Sequence, residues 1–137
     1  MAEAGTRVSV QQKIDRVRQA FDAFGRGDKQ TVGDTFTDKV VWHGRGSTKF
    51  GATFQGKQAT LANIMEYART FQNIKQDIHD VLGTEQHIVA LVTTSVSRNQ
   101  KTYEDHEVFV FHVNDEGKTT EAWIVNDTEQ LKESLQD

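Results

Sequence analysis

Glu107 is the residue whose neighbours most favour proton chemistry. It opens the run Glu-Val-Phe-Val-Phe-His-Val over residues 107–113, where period-two alternation puts it on one face with Phe109 and Phe111. A carboxylate beside aromatic rings is poorly solvated in its charged form. Its pKa therefore rises toward the range in which it can act as a base or a proton donor. The bland alternative is a non-catalytic carboxylate at the sheet margin. Asp105, on the same face at roughly 7 Å, reads as a solvated strand end.

The other candidates are weaker. The five histidines, His43, His79, His87, His106 and His112, include no His-Glu-x-x-His pair. His106 and His112 share a strand face but stand ~20 Å apart, too far to hold one ion. A metal site would need ligands gathered from separate strands, so none is expected. The serines are scattered, with no nucleophile elbow or supporting triad order. No Gly-rich dinucleotide fingerprint calls for a cofactor, and the glycine-rich stretch after His43 lacks the Gly-Lys-Ser/Thr ending of a phosphate loop.

The elements that must position Glu107 can be read in order. Val10, Ile14, Val17, Phe21 and Phe24 step by four and three, so Val10 to Phe24 is expected as a helix with one apolar face. Gly25 and Gly27 end it, and Asp28 caps a shorter helix carrying Val32 and Phe36. Lys39 to His43 is a short strand. In the loop that follows, Phe50 and Phe54 sit among glycines, which predicts a segment folded back over something apolar. Lys57 to Phe71 is a third helix with Tyr67 off the centre of its stripe, either at the surface or with its hydroxyl in a pocket. Strands follow at Ile74 to Leu82, Ile88 to Val96, Glu107 to Val113 and Lys118 to Asn126, with a turn at 114–117 in which Gly117 supplies positive φ. Thr128 to Leu135 finishes as a helical tail.

Helices early and a meander late give an α+β fold, a curved mixed or antiparallel sheet packed on three N-terminal helices. The open end of such a cone is the default ligand site. At 137 residues the chain is one domain, read as residues 10–137 behind a disordered tail, residues 1–9. A net charge of −4 without a basic stripe argues against nucleic acid as a partner. The chain has no cysteine, which removes disulfides and thiolate sites. No apolar run approaches the ~20 residues of a membrane span and no leader is visible, so a cytoplasmic location is expected.

The stretches AFDAFGRGD, FTDKVVWHGRG, FQGKQATLANI and FVFHVNDEGKTTEAW, with the terminal ND, together resemble the SnoaL-like branch of the nuclear transport factor 2 superfamily over roughly Val10 to Leu131. The resemblance implies a cone-shaped α+β fold, a deep pocket and a homodimer through the outer sheet face. Its members include polyketide cyclases, ketosteroid isomerases and epoxide hydrolases. Carried over position by position, the isomerase general-base aspartate falls on Gly44 and the oxyanion tyrosine on Ala20. The acid shared by isomerases and cyclases falls on Phe109. None of these three supplies a proton-transfer group. Trp42 and Gly44 stand where the epoxide hydrolases need a tyrosine and an asparagine.

The same resemblance fixes parity. Phe109, Phe111, Ala122, Ile124 and Asn126 are expected to face the cavity, with Trp42 opposite and Phe50 or Phe54 at the lid. His43, Val108, Val110, His112 and Trp123 then face outward; a one-residue slip would exchange the sets. The leading expectation is a pocket for a small apolar or aromatic molecule, lined by Trp42, Phe50, Phe54, Tyr67, Phe109, Phe111, Ile124 and Asn126. Glu107 would serve there as acid or base and Asn126 as hydrogen-bond donor. Two alternatives stand beside it: a non-catalytic structural or interaction dimer, and an isomerase, cyclase or hydrolase with non-standard residues. In one form of the latter the first strand shifts by one and chemistry moves to His43 and Arg45.

Overall fold

The computed structural model describes residues 7–137. Helix α1 (Val10–Gly25) starts at Ser9, whose hydroxyl accepts from the Gln12 N–H at 3.1 Å while the Gln12 side chain accepts from the Ser9 N–H at 2.8 Å. This reciprocal cap satisfies two otherwise orphaned donors. The Ile14, Val17, Phe21 and Phe24 stripe packs into the core. Beside this stripe the buried Lys13 donates to the Glu85 carbonyl at 2.5 Å, tying the helix to a distant turn. The expected tail falls mostly on residues 1–6, which lie outside the described residues. Its end is engaged, because the Val8 N–H donates to the Asp115 carbonyl at 2.9 Å.

Gly27, at φ +73°, turns the chain to Asp28. Asp28 caps α2 (Lys29–Asp34) by accepting from the Thr31 N–H at 3.0 Å and its hydroxyl at 2.7 Å. Phe36 is not on this helix, as its spacing from Val32 suggested. It opens β1 (Phe36–His43), where it is buried and pairs with Thr119. An i, i+4 apolar pair fits either element, and sheet pairing decides it. The loop after His43 also contains a short strand, β2 (Thr53–Gln55), which pairs Phe54 with Trp42.

Helix α3 (Lys57–Thr70) leads into the meander β3 (Gln72–Gly83), β4 (His87–Arg98), β5 (Lys101–Val113) and β6 (Thr119–Val125), and α4 (Thr128–Ser134) closes the chain. The six strands form one open sheet in the order β2-β1-β6-β5-β4-β3, antiparallel except where β1 runs parallel to β6. Register shifts between Phe36 and Val41 and between Ile78 and Asp80 bend the sheet. Helix α1 packs on β3 and β4 and α3 on β1 and β2, so the sheet curls around them as a cone. Gly117, at φ +82°, makes the β5–β6 turn. Asn99 and Gln100, at φ 53° and 67°, make the β4–β5 turn without glycine. No described helix is long and apolar enough to cross a membrane.

Candidate functional site

The inner sheet face and the helices enclose a cavity of about 130 Å³ that opens to solvent. Alternation along β5 brings Glu107, Phe109 and Phe111 to its wall; β6 adds Ile124, and Asn126 follows just past its end. Trp42 enters from β1, Phe50 from the loop and Tyr67 from α3. Phe21 of α1 meets the Phe109 ring edge-on at 5.0 Å, and Phe109 and Phe111 lie nearly parallel at 6.2 Å. The lining surface is mainly aromatic and aliphatic, with Arg16, Arg45, Asn63, Gln76, Glu107 and Asn126 among its polar groups. Ala122 faces the same side but is sealed in the core, fully buried.

Phe54 does not reach the cavity; it packs into the core on the Trp42 side. His43 points the other way, stacked on Trp123 at 5.3 Å and bonded through Nε2 to Glu121 at 2.6 Å on the outer face. The slipped register is therefore not adopted, since Trp42 takes the inward position next to Ala122. Arg45 does border the cavity, through the loop rather than the strand.

Glu107 is more enclosed than a sheet-margin residue would be, with 9% of its surface exposed. Burial raises its pKa to about 7, the nearby Asp105 charge adds to the rise, and a hydrogen bond from the Thr94 hydroxyl at 2.5 Å opposes it. Tyr67 is held neutral for the same reasons, burial first and the Glu107 and Asp105 charges second. It is not a surface tyrosine: Phe50 packs edge-on against its ring at 5.4 Å and Phe71 lies at 4.8 Å. The buried side-chain oxygen of Asn126 has no hydrogen-bond partner. A buried acceptor left open beside a cavity is a place for a ligand donor. A second cavity of about 30 Å³ shares Tyr67, Glu107, Asn126 and Leu131 and adds Asp105 and Gln130, leaving room for about one or two waters behind the carboxyl.

Segments remote in sequence are tied down beside the cavity. The Lys49 ammonium pairs with Glu66 of α3 at 2.8 Å, pinning the loop that carries Phe50. On the other side Gln130 of α4 donates to the Glu104 carbonyl at 3.0 Å, and Asp105 accepts from the Asp127 N–H at 2.8 Å. These contacts bring Leu131 to the same two cavity walls as Glu107.

Gly44 borders the cavity, and its lack of a side chain is structural. A Cβ there would lie 2.0 Å from the Phe50 carbonyl oxygen and 3.0 Å from that of Ala52. Overpacking against backbone costs ~1–3 kcal/mol, so Gly44→Ala is expected to lower the urea midpoint. Gly44→Asp is expected to lower it further and to confer no isomerase activity. A Gly44→Asp variant as stable as the parent would show that the loop yields readily.

The SnoaL-like domain family matches residues 17–122. No curated protein sequence matches the chain. Among solved structures, Bal32a from a soil-derived mobile gene cassette superposes with a TM-score of 0.86 at 20% identity, covering 93% of this chain and 98% of that one. TerC, co-crystallised with polyporic acid, gives 0.81 at 16% identity, covering 91% and 98%. RV0760c from Mycobacterium tuberculosis, in complex with estradiol-17β-hemisuccinate, gives 0.72 at 16% identity, covering 83% and 92%. At these identities the likeness is one of fold.

Proposed function

Because this chain belongs to the SnoaL-like domain family, and because its cone is hollow rather than filled, we propose that it binds a small apolar or aromatic molecule against the Phe109–Phe111 wall. The observation that carries this reading is the cavity, walled by Phe21, Trp42, Phe50, Phe109 and Phe111 and edged by Glu107 and Asn126. A dry cavity of roughly 150 Å³ accepts benzene. About 130 Å³ therefore suits a ligand body of about one ring, with any larger part toward the opening. Two fold neighbours were solved with ring-bearing molecules, polyporic acid and an estradiol ester, which is in keeping with that chemistry.

Glu107 gives the pocket one group able to hold or release a proton near neutrality, since its pKa lies at about 7. The reading makes it the acid or base for any reaction in the cavity, with the open Asn126 oxygen receiving a ligand hydroxyl or N–H. The open oxygen adds an acceptor to the donor role that the sequence suggested for Asn126. Ala20, Gly44 and Phe109 line the same cavity and supply no proton-transfer group, so the isomerase and cyclase chemistry of relatives does not carry over.

A second copy is assigned to the outer sheet face. Leu82, Leu91 and Val125, the exposed large apolar residues among those described, at 46%, 37% and 45%, all lie there. Sedimentation of the chain as a monomer at micromolar concentration would remove this part of the reading.

The pocket is tested by a thermal-shift screen with one- and two-ring aromatics, neutral and hydroxylated. A ligand at ~100 times its Kd adds about 2.7 kcal/mol, which raises Tm by roughly 10 °C in a domain of this size. Hydroxylated rings are expected to outperform their parent hydrocarbons. A flat response across the panel would leave the cavity as unfilled core and refute ligand binding.

A further inference from the structure

The histidines, scattered in sequence, gather on the outer sheet face. His79 and His106 share the Thr93 hydroxyl, at 2.5 and 3.0 Å, and His43 is bonded to Glu121. His87 and His112 stand directly opposite each other on β4 and β5, with their Nε2 atoms 2.5 Å apart and their rings 4.2 Å centre to centre. We propose that His87 and His112 form a two-imidazole site for a borderline divalent transition metal such as zinc, nickel or copper.

The surroundings of His112 fit a ligand role. Glu121, bonded through its other oxygen to His43, has Oε1 4.0 Å from His112 Nδ1, so a small turn of the ring would bring Nδ1 to the kind of carboxylate that orients a metal-bound imidazole. Trp123 meets the same ring edge-on at 5.3 Å. With one nitrogen facing a carboxylate and one face of the ring walled, the free Nε2 points at its counterpart on His87. Imidazole is a good donor for zinc, copper and nickel. Two nitrogens on one tetrahedral zinc, each at ~2.0–2.1 Å, stand roughly 3.3 Å apart. The pair need open by less than ~1 Å to admit the ion, and both side chains are exposed enough to turn.

A lone N–H···N hydrogen bond between the rings is the competing account, and it predicts no metal affinity specific to the pair. Among the described residues no group of three or more protein ligands surrounds an ion. The remaining positions therefore go to water or to the same pair on a second copy, because a two-fold interface sets a patch against its own image.

The test is isothermal titration of the untagged 137-residue chain with zinc chloride and copper chloride. Loss of a second-shell partner alone costs 10–100-fold in metal affinity, so His87→Asn and His112→Asn are each expected to weaken binding by at least about tenfold. His106→Asn, outside the pair, should leave it unchanged. Electron paramagnetic resonance of the copper form should show two imidazole nitrogens in the parent and one in either variant. Half an ion per chain with a doubled particle mass would assign the open positions to a second copy, and one ion per chain would assign them to water; both retain the site. Equal affinities for the parent and the two pair variants would overturn it.

Discussion

Glu107→Gln is expected to stabilise the protein by about 3 kcal/mol at pH 8 while changing little at pH 4. The folded chain keeps the Glu107 proton until a pKa of about 7, whereas the unfolded chain gives it up near the ordinary value of 4.5. Between those values the unfolded state binds fewer protons, so stability falls as pH rises. Below 4.5 the carboxyl is neutral in both states and nothing is lost. Each unit of displacement is worth about 1.36 kcal/mol, which puts the loss by pH 8 on the order of 3 kcal/mol.

Glutamine keeps the shape and cannot ionise, so it removes the penalty while still offering an oxygen to the Thr94 hydroxyl. Urea unfolding at pH 4, 6 and 8 reads the difference between variant and parent. Parallel curves for the two proteins would mean that Glu107 is solvated after all. If Glu107 is also the proton-transfer group, the glutamine variant should still take up ligand while losing any turnover.

How far this site was visible in the sequence depends on where the stabilising contacts come from. The α1 stripe, the Asp28 cap and the Gly117 turn rest on neighbours within a few residues, and the chain displays them directly; period two puts Phe109 and Phe111 on one face, but only the family resemblance turns that face inward. The polar half of β5, from Lys101 to His106, gives no alternation of apolar residues, because its inward side is covered by α4 rather than by the main core. Its turn at Asn99 and Gln100 has no glycine to mark it. Strand β2 spans three residues, too few for any period to appear. A margin position stays open for Glu107 in the sequence because the segments that bury it, the Phe50 loop and α4, lie far away along the chain. The reason for Gly44 is a backbone carbonyl six residues on, a contact that composition cannot announce. The His87–His112 pair is hidden in the same way, since it exists only in the β4–β5 register.

Phe109→Asp carries the larger cost and separates a greasy pocket from a latent acid site. Phe109 is 7% exposed and holds the Phe21 and Phe111 rings in place. Removing a buried phenyl ring costs ~3–5 kcal/mol. The new carboxyl would also stand two residues from Glu107 on the same strand face, roughly 7 Å away, in surroundings that already penalise one charge. Burial and the neighbouring carboxyl both push its pKa upward, so the loss should be smaller at pH 4 than at pH 8. Uptake of neutral aromatics is expected to fall at least about tenfold, because the wall they would lie against gains a polar group that no apolar ligand can satisfy. Phe109→Leu is the control: it keeps the wall apolar and should preserve uptake at a smaller cost in stability. A folded Phe109→Asp protein that binds the same aromatics as tightly as the parent would mean that the ligand never touches β5.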